Sequence, residues 1–109
     1  MSRDRETVND IIQAAGDIML SINQVSFEEL AINREKQAAI LYFLIVIGEA
    51  TKRLSFEFRA SHPAIDWQSM AGMRDILAHQ YDRVNIQTVW DAVQTDLPEL
   101  LTQLKSLSD

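Results

Sequence analysis

Residues 74 to 81, RDILAHQY, contain three side chains whose types and spacing can act on a phosphate ester. Arg74 carries a permanent charge on a planar guanidinium that can hold two phosphate oxygens at once. His79 titrates near neutrality and can give or take a proton, and Tyr81 adds a phenolic hydroxyl. The same spacing occurs on helix surfaces where an Arg forms salt bridges and a His lies at a helix end, so both interpretations stay open.

The helical backbone limits how Arg74 and His79 can act together. Five residues at about 100° each place the two side chains roughly 140° apart around a regular helix. They converge on one phosphate only if the helix ends near His79 or if a second copy of the motif faces the first. The sequence DRVN directly after Tyr81 is consistent with a helix end.

Other common chemistries have little support in the sequence. The two histidines, His62 and His79, lie far apart in the chain, and neither has a pair of carboxylates at the spacing of metal ligands. The three Gly are isolated, there is no Cys, and no serine has the turn and partner base of a nucleophile. We therefore predict no metal and no cofactor, and we interpret His62, before Pro63, as a solvated loop residue.

The composition bounds the class of protein. A chain of 109 residues with 47% apolar residues, three Gly and two Pro is typical of one helical globular domain, which we predict over residues 1–109. The formal charge of -6 opposes broad non-specific binding to nucleic acids, so any such chemistry must come from a local site. The charged N-terminus, MSRDRETVND, lacks the apolar segment of a signal peptide and indicates a cytoplasmic protein.

Apolar periodicity predicts helices throughout the chain. A three-and-four spacing predicts a first helix with the apolar stripe Val8, Ile11, Ile12, Ala15, Ile18, Met19 and Ile22. Ser26 and Glu29 have the spacing of a capping box, which predicts a short helix with Phe27 and Leu30 inward. A long helix is predicted from about Arg34 to about Arg59, because no residue in that span breaks it.

The second half of the chain has clear start and stop signals. Pro63 ends the preceding helix, and Asp66 is a candidate N-cap for a helix that carries Trp67 and the motif. Asn85 can cap a last helix, in which Pro98 predicts a kink or a restart near Leu97. No alternating β-pattern is present. The sequence therefore predicts an all-α bundle of four to five helices.

The middle of the long helix is apolar on all sides. The run from Ala38 to Ile47 is about half as long as the roughly 20 residues that cross a bilayer, so it is not a membrane span. It is either a central core helix or a helix whose segment Leu41 to Ile47 is partly covered by a second chain. Gly48 would let another backbone approach closely.

The motif and its surroundings resemble the HepT-like branch of the HEPN ribonucleases. Arg74, His79 and Tyr81 match the Arg-x4-His-x-Tyr signature of that family. The resemblance covers most of the chain in order, through SRD at the start, SFEEL at 26–30, IGEATKRLS at 47–55, HPAIDWQSMAGMRDILAH at 62–79, VW at 89–90 and DLPEL at 96–100.

The resemblance implies a homodimeric helical toxin of a prokaryotic type II or type VII toxin–antitoxin pair that cleaves RNA without a metal. Arg74 and His79 would then be catalytic. Tyr81 would receive AMP from a nucleotidyltransferase antitoxin of the MNT type, which binds the toxin in a larger hetero-oligomer. Asp75 is a further candidate for a supporting role, although an acid beside Arg74 also competes with phosphate for the guanidinium.

The rival interpretation is a non-catalytic helical dimer that binds and assists a nucleotidyltransferase partner. The acidic balance and the lack of a basic patch favour this rival, because RNA would find few cations to hold it. The family resemblance favours the ribonuclease. In a third interpretation Arg74 and His79 only cap a helix and pair with Asp75 or Asp82.

Overall fold

The computed structural model describes residues 3–72 and 85–107, and in these ranges the chain is helical with short connections. The helices are α1 (Arg3–Ile22), α2 (Phe27–Ile32), α3 (Arg34–Arg53), α4 (Phe56–Ser61), α5 (67–72, at the limit of the described range), α6 (Ile86–Asp91) and α7 (Leu97–Leu107), with a π-helical segment (Ala92–Asp96) between the last two. No strand occurs in the described ranges. The predicted all-α fold is confirmed.

The core forms where α1 packs mainly against α3, and α7 also contacts α1. The predicted stripe of α1 is confirmed, because Ile11, Ala15 and Ile18 are fully buried. They join one apolar cluster with residues of α2, α3, α6 and α7, so the described helices share a single core. Burial of this apolar surface is the main term that stabilises the bundle.

Side chains fix the corner between α2 and α3. The predicted capping box is confirmed, because the Glu29 amide donates to Ser26 Oγ at 3.1 Å and the Ser26 amide donates to Glu29 Oε1 at 2.8 Å. Gln37 Nε2 donates to the carbonyl oxygens of Leu30 and Ala31, and Lys36 Nζ donates to the Ser21 carbonyl at 2.9 Å. These bonds satisfy carbonyl groups at the ends of α1 and α2 that have no partner within their helices.

The predicted long helix is wrong at its C-terminal end, because α3 stops at Arg53 rather than near Arg59. Leu54 takes an extended conformation, with φ -68° and ψ 142°. Ser55 then caps α4, and its Oγ accepts from the Phe58 amide at 3.1 Å. The decisive group lies elsewhere in the chain: the Ser55 amide donates to Asp4 Oδ1 at 2.9 Å and the Ser55 hydroxyl donates to Asp4 Oδ2 at 2.7 Å. A carboxylate from α1 therefore stabilises the break.

The predicted restart in the last helix is confirmed, and it takes the form of the π-helical segment. The Leu97 amide donates to the Ala92 carbonyl, five residues back, where an α-helix would use the residue four back. Pro98 lacks an amide hydrogen and cannot make the next α-helical bond. The helix absorbs this defect in a wider turn, and Val93 within that turn and Leu97 directly after it stay buried.

A search of the described residues finds no helix that is long and apolar enough to span a membrane.

Candidate active site

The four predicted site residues, Arg74, Asp75, His79 and Tyr81, lie outside the described residues, in the segment 73–84. Nothing in the described ranges tests their geometry. The described residues on both sides form a frame for this segment: the end of α4 and the start of α5 precede it, and the start of α6 follows it.

The frame before the motif is a compact turn. Ile65 and Trp67 are buried, and the Trp67 indole Nε1 donates to the His62 carbonyl at 3.0 Å. Asp66 is the predicted N-cap, which is confirmed by the Ser69 amide donating to Asp66 Oδ1 at 3.0 Å. The Ser69 hydroxyl donates to the other carboxylate oxygen at 2.7 Å. The two bonds from Ser69, the hydroxyl first, lower the pKa of Asp66.

His62 corrects one interpretation of the sequence. It is half-buried rather than solvated, and its ring centroid lies 4.7 Å from that of Phe58. The Phe58 ring also packs against Trp67, with centroids 6.0 Å apart. His62 therefore belongs to the aromatic packing that supports the start of α5. Among the described residues, no group of three His, Asp or Glu side chains could hold a metal ion.

The frame after the motif begins at Asn85, whose predicted role as an N-cap is confirmed. Asn85 Oδ1 accepts from the Gln87 amide at 2.8 Å. Within α6, Val89 is buried, and Trp90 packs edge-on against Phe27 of α2 with ring centroids 6.0 Å apart. The chain thus enters the segment 73–84 from a fixed turn and leaves it into a capped, packed helix.

A cavity of about 360 Å³ lies between α3, the start of α5 and the last helices. Its wall is apolar where Leu44, Ile47 and Leu97 contribute, and the carboxylates of Asp66, Asp96 and Glu99 also line it. We define these residues as the acid-lined cavity. Among the described residues of its wall, these three carboxylates repel phosphate and attract cations.

Similarity to known proteins extends across the segment 73–84, which lies outside the described residues. The family described as "Ribonuclease HepT-like" matches residues 11–107, which include the whole motif. The chain belongs to the HepT-like ribonuclease family. No solved structure matches it.

Individual relatives of this HepT-like chain carry matching names. A candidate RNase of Caldanaerobacter subterraneus subsp. tengcongensis is 34% identical over 107 residues, which cover 98% of the chain and 96% of the relative. The "Probable ribonuclease HepT" of Thermococcus cleftensis is 33% identical over 103 residues, which cover 94% of each protein. A candidate RNase of Methanocaldococcus jannaschii is 32% identical over 103 residues, covering 94% of the chain and 85% of the relative. The similarity therefore extends over nearly the full length.

Sequence reasoning missed one arrangement of the HepT-like chain. Asp4, Ser55 and the exposed Phe56 come together where α1 begins and α3 ends. The local signal was present, since Ser55 before the aromatic residues of SFEF is a good N-cap. The signal for Asp4 was absent, because a contact between residues 51 positions apart leaves no mark in a single sequence.

Proposed function

We propose that the chain is a metal-independent endoribonuclease in which Arg74 and His79 carry the chemistry, with Asp75 in a supporting role. The observation that carries this proposal is the family match over residues 11–107, which includes the Arg-x4-His-x-Tyr motif. The names of the relatives from Caldanaerobacter and Thermococcus agree with it.

The proposed reaction needs only groups that the motif supplies. The 2′-oxygen of a ribose attacks the adjacent phosphorus, its proton passes to a base, and the 5′-oxygen of the next nucleotide leaves with a proton from an acid. The products are a 2′,3′-cyclic phosphate and a 5′-hydroxyl. His79 can serve as the acid or the base, and Arg74 can stabilise the extra negative charge on the phosphorane oxygens.

We propose a homodimer, because two facing motifs supply two histidines and remove the angular separation of Arg74 and His79. The observation that supports a dimer is a stripe of accessible, uncharged residues on α3, formed by Tyr42, Ile45 and Val46. Tyr42 is 63% exposed, Ile45 and Val46 are only partly buried, and the chain carries no charge from Gln37 to Gly48. Uncharged residues that stay accessible in the middle of a central helix favour cover by a second copy.

The dimer is tested by light scattering at micromolar concentration. The parent should have twice the mass of the 12.4 kDa chain, and Tyr42→Glu should shift it toward monomer by placing a charge in the contact. Ile32→Glu is the matched control, because Ile32 is 83% exposed, is the last residue of α2 and lies outside the stripe. A monomeric parent would remove the argument for a composite site.

We propose that the chain is the toxin of a type II or type VII toxin–antitoxin pair and that a nucleotidyltransferase antitoxin of the MNT type adds AMP to Tyr81. The phosphodiester of AMP would compete with RNA phosphate for Arg74 and so silence cleavage. Toxin and antitoxin would form a hetero-oligomer.

We also propose one domain over residues 1–109 and a cytoplasmic location, where RNA and ATP are available.

The ribonuclease is tested with purified protein and RNA in EDTA. Cleavage should continue in the chelator and leave 2′,3′-cyclic phosphate ends.

Incubation with ATP, Mg²⁺ and the nucleotidyltransferase encoded next to this chain should add the mass of AMP units to the parent and stop cleavage. Tyr81→Phe should accept no AMP and should keep cutting under the same conditions. Cleavage that stops in EDTA, or AMP on another residue, would contradict the corresponding part of the proposal.

The second candidate is a non-catalytic helical dimer that binds and assists the nucleotidyltransferase. The formal charge of -6 favours it, and so does the acid-lined cavity, because both weaken attraction to RNA. A parent protein that binds the transferase, accelerates AMP transfer and never cuts RNA would establish this candidate.

A further inference from the structure

The end of the bundle where α1 begins, α3 ends and α4 follows has a different charge from the other described residues. We name it the α4 end. Five of the eight Lys and Arg of the described residues belong to it: Arg3, Arg5, Lys52, Arg53 and Arg59. The bonds from Ser55 to Asp4 and the 4.0 Å approach of Arg53 Nη2 to Asp10 Oδ2 bring the α1 and α3 residues together.

The charge count separates this end from the remainder of the described residues. The α4 end has five cations against five carboxylates, those of Asp4, Glu6, Asp10, Glu49 and Glu57, so it is neutral. The other described residues have three cations against eight carboxylates, a charge of -5. The entire negative charge of the described residues therefore lies outside the α4 end, where a polyanion meets least repulsion.

Phe56 is an exposed aromatic ring at this neutral end. It is the first residue of α4 and is 75% exposed, whereas Phe58, two residues later, packs inward against His62 and Trp67. The preceding residue, Ser55, is held by Asp4 through both its amide and its hydroxyl. The ring is thus presented to solvent from a fixed backbone.

Arginines flank Phe56 on both sides along the chain. Arg59 follows at i+3 on the same short helix, and within the described residues its buried Nε has no hydrogen-bond partner. Arg53 precedes Phe56 by three residues, and its side chain is 55% exposed. Its approach to Asp10 at 4.0 Å between two exposed groups contributes little, so a phosphate can displace the carboxylate at low cost.

We propose that Phe56, Arg53 and Arg59 form a platform for single-stranded RNA, in which a base stacks on the Phe56 ring and the two guanidiniums hold neighbouring phosphates. An aromatic ring beside cations is the usual combination for binding a single strand without sequence preference. The proposal rests on the proposed function, since it takes RNA as the substrate. It adds a binding surface on helices that precede the catalytic motif in the chain.

The surroundings of Phe56 argue against a protein partner at this surface. Apolar protein contacts need a continuous patch of several hundred Å². Phe56 instead has the charged residues Arg53, Glu57 and Arg59 within three positions. In the described part of the chain, the other large exposed apolar residues, Leu20, Ile32 and Tyr42, belong to other parts of α1, α2 and α3. A single ring among charges fits a nucleobase better than a hydrophobic interface.

Binding is measured by fluorescence anisotropy with a labelled single-stranded RNA oligonucleotide, in EDTA and low salt, with every variant built on His79→Ala to prevent cleavage. Phe56→Ala should weaken affinity about fivefold or more, the range found when an aromatic platform loses one stacked base. Phe56→Trp should keep affinity or raise it. Ile32→Ala is the matched control, because it truncates an equally exposed apolar side chain beyond the opposite end of α3.

The charges are tested by the dependence of affinity on salt. Arg53→Ala and Arg59→Ala should each weaken binding and reduce the slope of log affinity against log salt by about 0.7, the value for one lost contact with a single strand. Arg34→Ala removes the same charge at the first residue of α3, about 30 Å away, and should leave the slope unchanged. Circular dichroism of each variant checks that the helices remain.

The outcomes separate this inference from the proposed function. If the parent cuts RNA and Phe56→Ala neither raises KM nor weakens binding beyond the Ile32→Ala control, the platform is wrong and the ribonuclease stands. If the parent binds RNA through Phe56 and never cuts it, the platform stands and the ribonuclease fails. If Phe56→Ala changes only the sedimentation of the protein, the surface is a protein contact and the platform is overturned.

Discussion

The α4 end and the acid-lined cavity each contain an aspartate that accepts two hydrogen bonds from one serine, but the charge around the two pairs differs. In each, an aspartate accepts from the amide of a serine with one carboxylate oxygen and from its hydroxyl with the other. Asp66 and Ser69 are three residues apart and cap one helix, whereas Asp4 and Ser55 join two distant parts of the chain. The same pair of bonds can therefore cap a helix or join two helices, depending on how far apart the aspartate and the serine lie in the sequence.

The two regions also divide the charge of the surface. The α4 end is neutral and presents an aromatic ring, and the acid-lined cavity collects three carboxylates around apolar side chains. We expect RNA to approach the former, and a cationic or apolar group of a protein partner to suit the latter.

The largest effect is expected at the motif itself. Arg74→Ala and His79→Ala should each lower kcat for RNA cleavage at least about 100-fold, because each removes a group that acts in the transition state. His79→Ala should leave RNA affinity nearly unchanged, since binding is assigned to the α4 end. Single-turnover cleavage and anisotropy separate the two quantities. A His79→Ala protein that cuts like the parent would remove His79 from the mechanism.

The next largest effect is expected in thermal stability, when Ser55 and Ser69 are each replaced by alanine. Ser55→Ala should cost about 1 kcal/mol, because it removes the cap of α4 and the hydroxyl that donates to Asp4. For a domain of this size that lowers Tm by about 4 °C. Ser69→Ala is the matched change and should lower Tm much less, since the amide of residue 69 still donates to Asp66. Equal losses of Tm would show that the α4 cap and the bond to Asp4 together stabilise the fold no more than the local bond from the Ser69 hydroxyl to Asp66.

A smaller effect is expected from charge reversal in the acid-lined cavity. Asp96→Lys and Glu99→Lys should each raise affinity for single-stranded RNA about two- to threefold at low salt, by long-range attraction alone. The gain should vanish at 1 M salt, where the screening length falls to about 3 Å. Arg53→Glu should cause a larger change in the opposite direction. If the cavity variants shift affinity more than Arg53→Glu does, RNA binds nearer to the acid-lined cavity than to the α4 end.

The smallest effect concerns acid stability. The hydroxyl of Ser55, followed by its amide, lowers the pKa of Asp4, and Ser69 does the same for Asp66. A carboxyl group whose pKa is lower in the folded state stabilises the fold above its unfolded pKa, near pH 4, and loses that contribution as the pH falls through the folded pKa. Urea unfolding between pH 6 and pH 2 should therefore show a decline below about pH 4, and it should be shallower in Asp4→Asn than in the parent. An unchanged profile would contradict a role for Asp4 in acid stability.

The sequence predicted the features of the fold that depend on neighbouring residues. The stripe of α1, the capping box at Ser26, the caps at Asp66 and Asn85 and the interruption before Pro98 are encoded within a few positions, and each is confirmed. The end of α3 was predicted wrongly. Helix propensity favours continuation through Leu54 and Ser55, and the break is stabilised by the cap at Ser55 together with the carboxylate of Asp4 from the start of α1.

The candidate site was predictable in a different way. Spacing alone left the roles of Arg74, Asp75, His79 and Tyr81 open, and the resemblance of the surrounding segments supplied the family, which is confirmed. The roles of the four residues remain predictions. The exposure of Phe56 could not be read from the sequence, because FEF offers two phenylalanines and only the packing of Phe58 on His62 and Trp67 decides which one turns outward.

The π-helical segment has a consequence for insertions and deletions. A turn closed by bonds to the fifth preceding residue contains one residue more than an α-helical turn, yet Val89 before it and Leu104 after it both face the core. Deleting one residue between Ala92 and Asp96 would restore α-helical register between the same two faces, and Pro98 would then leave one α-helical hydrogen bond unmade. The same deletion in the middle of α7 would rotate every later side chain by about 100° and turn Leu104 away from the core. The last helix therefore contains one place where its length can change by a residue without loss of its register.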